Sequence, residues 1–368
     1  MAQVVETAQV ISPSRRPRVA IVAPSLEILG GQEVQAATIG RGLRDDGYEV
    51  VFLPVNPGLP AALRWLRRYR YARTVANEAI YLPSLRRLRR ADVAHVFSAS
   101  YWSFVLAPLP ALVAARSLGL RVVLNYHSGE AEDHLAHWGR LVHPWLRLAH
   151  EIVVPSEYLR QVFAQHGFRT RVIPNVVTTS LFRYRERLLL RPRLLSTRNL
   201  EPHYRVDDTL RAFALLEARY PDATLTVAGY GGEEGRLRRL AASLGTRGIR
   251  FVGRVDPGAM PRLYEAADVF VNSSVVDNQP LSILEAFAAG LSVVSTPTGD
   301  ISSLVRHEET GLLVPQGDPA AMAEAVGTLL EDPERARLMA RLARQELRRF
   351  TWPQVRAEWA AVYAGSAA

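Results

Sequence analysis

Two carboxylates eight residues apart are the side chains in this sequence best suited to chemistry on a polar ligand. Asp277 precedes a short proline-containing turn, and Glu285 falls inside an apolar stretch that ends at Gly290. The pattern predicts a loop acid and a helical acid at the carboxyl edge of a parallel sheet, where open α/β folds bind ligands. A carboxylate can accept hydrogen bonds from both vicinal hydroxyls of a ribose. The alternative, a solvated Glu285, fits less well with its apolar neighbours.

A cation follows a predicted strand in the second half of the chain. Arg198 stands two residues after Ser196, where an apolar run ends. Because a guanidinium is always charged and can bond two phosphate oxygens together, it can offset the charge that develops on a departing diphosphate. Arg198 is therefore the main candidate for a phosphate-binding and catalytic residue.

Glycine-containing turns connect several predicted strands to helices. Gly30 and Gly31 end the turn after the first strand, Gly229 follows a later strand, and Arg254 follows the next one. Backbone without Cβ allows a phosphate or sugar to approach closely, and free amides at a helix start favour negative charge. Arg254 and its neighbours can present backbone groups to a base. The competing interpretation of each turn is an ordinary tight connection.

His127 follows another predicted strand and should lie at the same sheet edge as Gly30 and Gly31. An imidazole near its ordinary pKa can accept a proton or bond a hydroxyl. The alternative is a loop histidine bonded to the backbone. The later histidines have no zinc-motif spacing, so we expect no metal site.

The composition excludes several classes of chemistry. The 368 residues include no cysteine and, although 45 are basic, no lysine. Thiol nucleophiles, lysine Schiff bases and lysine-dependent phosphate loops are therefore excluded. The net charge of +9 favours anionic partners. The N-terminus lacks a secretory core and no long apolar run appears, so we expect a cytoplasmic protein.

Short apolar runs alternate with longer helical patterns, which is typical of βαβ units. Strands are predicted at 18–23, 49–53, 93–97, 121–125, 151–154 and 171–173, and then at 193–196, 224–228, 250–252, 269–272, 292–295 and 311–314. The expected fold is α/β, with two doubly wound Rossmann-like domains. A flexible N-terminus (1–16) should precede a first domain (17–182), an arginine-rich linker (183–192) that could serve as a hinge, and a second domain (193–350).

Together these residues resemble a retaining glycosyltransferase of family 4, with two domains facing each other across a cleft in the GT-B fold. The most specific portion is 273–296, followed by Gly299 and the run 309–315. The resemblance implies that the last helix, within 351–368, returns to the first domain, and that a nucleotide-sugar donor, with no cofactor or metal, binds in the cleft.

The resemblance also implies roles for individual residues. Glu285 would bind the ribose of the donor, and Asp277, which replaces a more usual glutamate, would approach the sugar. The turn Asn278-Gln279-Pro280 replaces a common Glu-Gly-Phe-Gly, and the amides of Leu281 and Ser282 would meet the sugar or phosphates. His127 matches a histidine that lies near acceptor and donor hydroxyls.

The family usually places a lysine several residues after the phosphate-binding arginine. Here Tyr204 stands at that position, with Arg205 one residue later. Three interpretations follow: Arg205 replaces the lysine, another arginine does so, or activity is weak or lost. The first is favoured because this chain uses arginine for every cation other than histidine. The third motivates an alternative function, a catalytically impaired nucleotide-sugar-binding subunit that supports a partner transferase. An epimerase or phosphorylase is a further alternative.

A basic, aromatic segment lies between Arg64 and Arg90, with nine arginines and a single acid, Glu78. Such a segment can lie on an anionic membrane surface, which would suit a lipid-linked acceptor; a saccharide acceptor is the other expectation. The competing interpretation is a solvated arginine-rich face. Nucleic-acid binding is not expected because no known module organises these charges.

Overall fold

The computed structural model describes residues 16–25, 30–59, 65, 68–98 and 100–366. Within these residues the backbone forms two six-stranded parallel sheets with helices packed around them. The predicted α/β architecture of two doubly wound domains is confirmed. The predicted flexible N-terminus, apart from Arg16, lies outside the described residues.

The first sheet has the strand order β2-β1-β3-β4-β5-β6. Its strands are β1 (Val19–Ala23), β2 (Val50–Pro54), β3 (Val93–Ser98), β4 (Arg121–Tyr126), β5 (Glu151–Val154) and β6 (Arg171–Val172). Residues of β1 contribute alternately to two apolar clusters, one on each face of the sheet. Burial on both faces explains why these strands are near-continuous apolar runs.

The second sheet has the order β12-β11-β10-β7-β8-β9. Its strands are β7 (Arg193–Ser196), β8 (Thr224–Ala228), β9 (Ile249–Gly253), β10 (Val269–Asn272), β11 (Ser292–Ser295) and β12 (Leu312–Leu313). Every predicted strand in both sheets is present, with each end within one residue of its predicted position.

Helices cover both sheets. The first domain contains α1 (Gly31–Asp45), α2 (Arg70–Ser84), α3 (Tyr101–Leu106), α4 (Pro108–Ser117), α5 (Ala131–Leu146) and α6 (Glu157–Gln165). Next come α7 (Val206–Arg219), α8 (Glu234–Ser243), α9 (Met260–Ala266), α10 (Leu281–Ala289), α11 (Ile301–Leu304), α12 (Pro319–Glu331), α13 (Pro333–Glu346) and α14 (Trp352–Ala364). None of the helices described has both the length and the apolar character needed to cross a bilayer.

The last helix packs on the first sheet although it follows the second domain. Trp359 and Tyr363 of α14 lie in the same apolar cluster as β1, and the Tyr363 hydroxyl is 2.9 Å from Nδ1 of His95. Where α14 begins, the Trp352 ring lies so close to Gly42 of α1 that a Cβ there would be 2.3 Å from it. The absence of a side chain at Gly42 therefore allows α14 to dock on α1.

The arginine-rich segment 183–192, predicted as a linker that could serve as a hinge, is anchored to the second domain. The Arg187 guanidinium is buried, lies 2.9 Å from the Asp268 carboxylate and donates to the carbonyls of Tyr264, Ala267, Ala289 and Gly290. Outside this segment, the Val177 amide of the first domain donates to the Phe350 carbonyl of the second at 2.8 Å. The buried charge of Arg187 explains the anchoring, because the carboxylate and carbonyls that compensate it all belong to one domain.

Candidate active site

A cavity of about 470 Å³ separates the two domains and is lined by both. Ten of the predicted site residues line it: Gly30, Gly31, His127, Arg198, Gly229, Arg254, Asp277, Leu281, Ser282 and Glu285. The cavity lies at the carboxyl ends of β1, β4, β7 and β8, because the turns that follow these strands supply its walls. This is the edge at which parallel α/β sheets bind ligands.

The charged centre of the cavity is a pair formed by the buried Arg198 and the partly buried Asp277. The Arg198 guanidinium contacts the Asp277 carboxylate, donates to the Ser282 hydroxyl at 3.0 Å, and lies 4.3 Å from the ring centre of Tyr204. Its Nε is buried and has no hydrogen-bond partner. Because an unused buried donor is costly, Arg198 is prepared to bind a further acceptor oxygen.

The second carboxylate of the cavity, Glu285, projects from α10. It accepts a hydrogen bond from the Tyr264 hydroxyl at 2.7 Å, and that hydroxyl is 2.9 Å from Thr197. Burial raises the pKa of Glu285 to about 7, although Tyr264 and Arg198 act in the opposite direction. A ligand hydroxyl that donates a hydrogen bond to this buried carboxylate would stabilise its charged form.

The loop that carries Asp277 is tied to the first domain by the two residues that follow it. Gln279 accepts from the Asn175 amide at 2.7 Å and donates to the Pro155 carbonyl at 3.0 Å. The Asn175 side chain donates to the Gln279 carbonyl at 2.7 Å, and the Ser156 hydroxyl bonds Asn278 at 2.5 Å. We name these contacts the interdomain latch; they hold the Asp277 loop against the first domain.

Glycines allow the same loop to approach its neighbours closely. A Cβ at Gly129 of the first domain would lie 3.1 Å from the Asp277 backbone, and one at Gly299 would lie 2.1 Å from the Asp277 carbonyl oxygen. Gly299 also has a φ of +54°, which favours glycine. Similarly, a Cβ at Gly229 would lie 2.0 Å from the Arg198 carbonyl oxygen. Gly229 therefore keeps two turns in contact at the cavity wall.

Comparison with known families accounts for both domains. Residues 29–181 match the model described as Glycosyltransferase Family 4, and residues 185–346 match Glycosyl transferases group 1. The chain belongs to this family. It is 31% identical to a glycogen synthase of Mycobacterium tuberculosis over 74% of this chain and 69% of that protein. It is also 27% identical to a phosphatidyl-myo-inositol mannosyltransferase of Mycolicibacterium smegmatis, over 94% of this chain and 93% of the relative.

Other similarities cover less sequence or only the fold. The match to a D-inositol 3-phosphate glycosyltransferase of Corynebacterium urealyticum is 38% identical but spans 39% of this chain and 36% of that protein. The structure of Anabaena HepE in complex with UDP-glucose superimposes with a TM-score of 0.76 and 18% identity, over 95% of this chain and all of that one. The resemblance seen in the sequence is therefore confirmed, and the chain is a GT-B glycosyltransferase.

One predicted phosphate contact of this glycosyltransferase does not lie on the cavity. The Arg205 guanidinium lies 3.3 Å from the carboxylate of Asp207 and 3.0 Å from that of Asp208, in the first turn of α7. Arg205 also has a left-handed backbone, with φ of +46°. The sequence placed the arginine next to the expected position but could not show that two carboxylates hold it. Tyr204 lines the cavity there instead.

Arg41 on α1 is a cation of the cavity that the sequence analysis did not identify. Its spacing from Val34, Ala37 and Thr38, which share one face of α1 with it, is the signal that could have revealed it. With Arg198 and Arg254, it gives this glycosyltransferase three arginines that line the cleft.

His127 lines the cavity as a neutral imidazole. Its ring stacks on Phe97 with centres 5.3 Å apart, and burial lowers its pKa to about 4. The pKa thus lies below the ordinary value considered in the sequence analysis, because burial disfavours the charged form. Nε2 is buried without a partner, so it is free to bond a ligand hydroxyl.

The start of α1 carries both predicted glycines and a buried acid. Gly30 is extended with φ of −163°, and Gly31 is the first helical residue. A Cβ at Gly30 would lie 2.7 Å from the Glu33 carboxylate, whose burial raises its pKa to about 7. An anion near these amides would therefore favour the neutral form of Glu33.

Proposed function

We propose that this glycosyltransferase is a retaining, metal-independent hexosyltransferase that uses a nucleotide-diphosphate sugar. It transfers the sugar to a hydroxyl of a lipid-linked or saccharide acceptor in bacterial glycolipid or polysaccharide assembly. The observation that carries the proposal is the convergence of Arg198, Glu285 and the Gly30-Gly31 turn on one interdomain cavity. The similarity to HepE, whose structure contains UDP-glucose, supports the donor class.

The cavity offers separate partners for the two ends of the donor. Glu285 accepts hydrogen bonds from the ribose hydroxyls, while Arg198 and the amides of Gly30 and Gly31 bind the diphosphate. The unused Nε of Arg198 provides a donor for a phosphate oxygen without breaking the contact with Asp277. Asp277 then lies beside the sugar.

Stabilisation of the leaving group drives the proposed reaction. The bond between the anomeric carbon and the diphosphate oxygen breaks, and its electron pair leaves with the diphosphate. The acceptor oxygen bonds the same face of the sugar, and its proton passes to the departing diphosphate. Arg198 offsets the charge that develops, as an oxyanion site does, so no metal is required for this step. The interdomain latch helps to exclude water from the closed cleft.

Substitution of Arg198 tests the proposal. Arg198→Ala should lower kcat about a hundredfold, as loss of a transition-state charge contact does. Donors are first chosen by thermal-shift screening with UDP-, GDP- and ADP-sugars, because a ligand of the folded state raises Tm. Arg239→Ala, at an exposed position of α8, is the matched control. An unchanged kcat for Arg198→Ala at saturating donor would contradict the assignment.

A second candidate function is a nucleotide-sugar-binding subunit without transferase activity of its own. It is favoured by Tyr204 at the position of the family's lysine and by the engagement of Arg205 with Asp207 and Asp208. Donor binding and donor turnover distinguish the two candidates. A donor sugar that raises Tm, but is neither hydrolysed nor transferred to a bacterial acceptor extract, would support the binding subunit over the enzyme.

We also propose that α2 contacts the anionic inner face of the plasma membrane. Residues 64, 66 and 67 of the predicted basic segment lie outside the described residues. In the remainder, Tyr71, Val75 and Leu82 are exposed on one face of α2. The four arginines after α2 are also exposed: Arg86, Arg87, Arg89 and Arg90. An apolar stripe beside clustered cations suits an anionic bilayer surface.

Vesicle flotation tests this contact. The protein should float with vesicles containing anionic lipid at low salt, and Val75→Glu should weaken binding because the carboxylate opposes both apolar insertion and the lipid charge. Leu338→Glu, at an exposed position of α13, is the control. Equal flotation of Val75→Glu and the native protein, or none at low salt, would contradict the proposed surface.

A further inference from the structure

A second hollow, of about 390 Å³, opens beside the main cavity and shares three lining residues with it, Gln32, Ser128 and Glu130. The rest of its wall comes from the start of α3: Ser100, Tyr101, Trp102 and Ser103. It therefore lies on the first domain, between the start of α1 and the turn after β4 that carries His127. Arg198 does not line it, so a molecule bound there would reach the donor from the first-domain side of the main cavity.

The backbone of this hollow is held in an unusual conformation at Tyr101, which has a φ of +55°. A left-handed conformation is rare for a bulky aromatic residue and persists where surrounding contacts impose it. Here the Tyr101 hydroxyl bonds the Asp133 carboxylate, while its ring lies 5.1 Å from His134 and 5.8 Å from Trp138. These contacts fix the direction of the next residue, Trp102.

Trp102 is an aromatic surface left uncovered beside a polar hollow. Its side chain is 66% exposed, and its contact with Trp138 is edge-to-face, with ring centres 5.4 Å apart at 87°. A large exposed aromatic residue next to a cavity marks a binding surface. The C–H face of a sugar or cyclitol ring is the apolar surface that fits an indole while its hydroxyls remain available to polar groups.

The charged groups around the hollow favour a neutral ring over a phosphorylated one. Its described lining residues offer hydroxyl and amide groups and one carboxylate, Glu130, but no cation. Asp133 adds a second acid behind Tyr101. A carboxylate accepts hydrogen bonds from ring hydroxyls, but it repels a phosphate.

We propose that this hollow binds the acceptor as a neutral polyhydroxylated ring, with one C–H face on Trp102 and its hydroxyls on Glu130 and the adjacent serines. This inference rests on the proposed transferase function, and it specifies the acceptor class. A ring bound there reaches the main cavity through Ser128 and Glu130, so one of its hydroxyls can meet the donor sugar.

The experiment compares Trp102→Ala, Trp102→Phe and the control Leu106→Ala, an exposed residue at the far end of α3 that does not line the hollow. Acceptors are methyl glucoside and myo-inositol, each alongside its monophosphate. Trp102→Ala should raise the acceptor KM roughly two- to tenfold, the range of an aromatic stacking contact. Donor KM and donor hydrolysis without acceptor should not change, and Trp102→Phe should recover much of the loss.

Two results would overturn the inference: an unchanged acceptor KM in Trp102→Ala, or a native preference for the phosphorylated acceptors. Saturation-transfer NMR without donor gives a readout that does not require turnover. The neutral ring should show contact through its C–H protons with the native protein, and Trp102→Ala should lose it; no contact with the native protein would contradict the proposal. Failure of the proposed function is different, since neither transfer nor donor hydrolysis would then occur with any donor.

Discussion

Removal of the Gln279 side chain should impair the enzyme by opening the domains, although Gln279 itself performs no chemistry. Gln279→Ala deletes the bond accepted from the Asn175 amide and the bond donated to the Pro155 carbonyl. The bond from the Asn175 side chain to the backbone carbonyl of residue 279 remains possible. The substitution therefore removes two of the cross-domain hydrogen bonds of the latch.

The magnitude follows from the burial of the groups left behind. In the closed form, the Asn175 amide and the Pro155 carbonyl would each lose a partner, at about 1–3 kcal/mol per buried group. Opening the cleft returns both groups to water, so the penalty falls on the closed form only. At the lower limit the closed form loses about 2 kcal/mol, which corresponds to roughly a thirtyfold shift toward the open form.

Steady-state kinetics and small-angle scattering together measure this effect. Gln279→Ala should lower kcat/KM for the donor by roughly thirtyfold where closure limits the reaction. In the presence of nucleoside diphosphate, it should also have a larger radius of gyration than the native protein. Gln316→Ala is the control, because it removes one exposed side-chain bond, to the Pro297 carbonyl, within the second domain. Unchanged kcat/KM and an unchanged radius in Gln279→Ala would refute the latch.

Titration and packing provide further predictions. The contribution of Glu285 to the free energy of unfolding should fall as pH rises from about 4.5 to about 7, because burial lifts the pKa of Glu285 to about 7 only in the folded state. Buried His95, His127 and His134, whose pKa values are lowered, contribute in the opposite sense, so the test is the difference between the native protein and Glu285→Gln. By urea denaturation, the free energy of unfolding of the native protein minus that of Glu285→Gln should fall with rising pH, by at most about 1.4 kcal/mol per pH unit; a difference that does not change with pH would contradict the raised pKa. Tyr264→Phe removes a hydrogen bond that lowers this pKa, so the midpoint of pH-dependent donor binding should move upward. Gly42→Ala should lower Tm by the equivalent of about 1–3 kcal/mol, because its Cβ would lie 2.3 Å from the Trp352 ring, whereas the helical control Gly235→Ala should be neutral or stabilising. Equal Tm changes in the two alanine variants would show that this contact relaxes freely.

The strands were predictable because burial on both faces leaves a strong signal in the sequence. Strand β10, Val269–Asn272, is buried throughout, and its predicted bounds agree with the structure. The positions of the turns were equally predictable, because each turn begins where a strand ends. The position of a site residue along the chain could therefore be converted into a position at the sheet edge.

Side-chain direction and electrostatic environment were harder to predict, because both depend on residues that are distant in sequence. Arg205 is one residue from the expected lysine position, yet a left-handed backbone and two helix-start carboxylates hold it off the cavity. His127 lies on the cavity, but its pKa is lowered by burial, and the ring stacked on it is Phe97 of a neighbouring strand. The local sequence around Arg205 and His127 shows neither the ion pairs of the first nor the burial of the second.

The latch shows why a departure from a common motif can be informative before its role is visible. The sequence identified Asn278-Gln279-Pro280 as a replacement for a more usual turn, but its partners lie 104 to 124 residues earlier, in the other domain. The replacement puts two amide side chains at the point where the domains meet, directly after the acid that pairs with Arg198. Closure and the placement of Asp277 are therefore coupled through adjacent residues. Substitutions in this turn should consequently change donor kinetics even where they leave every proposed donor contact in place.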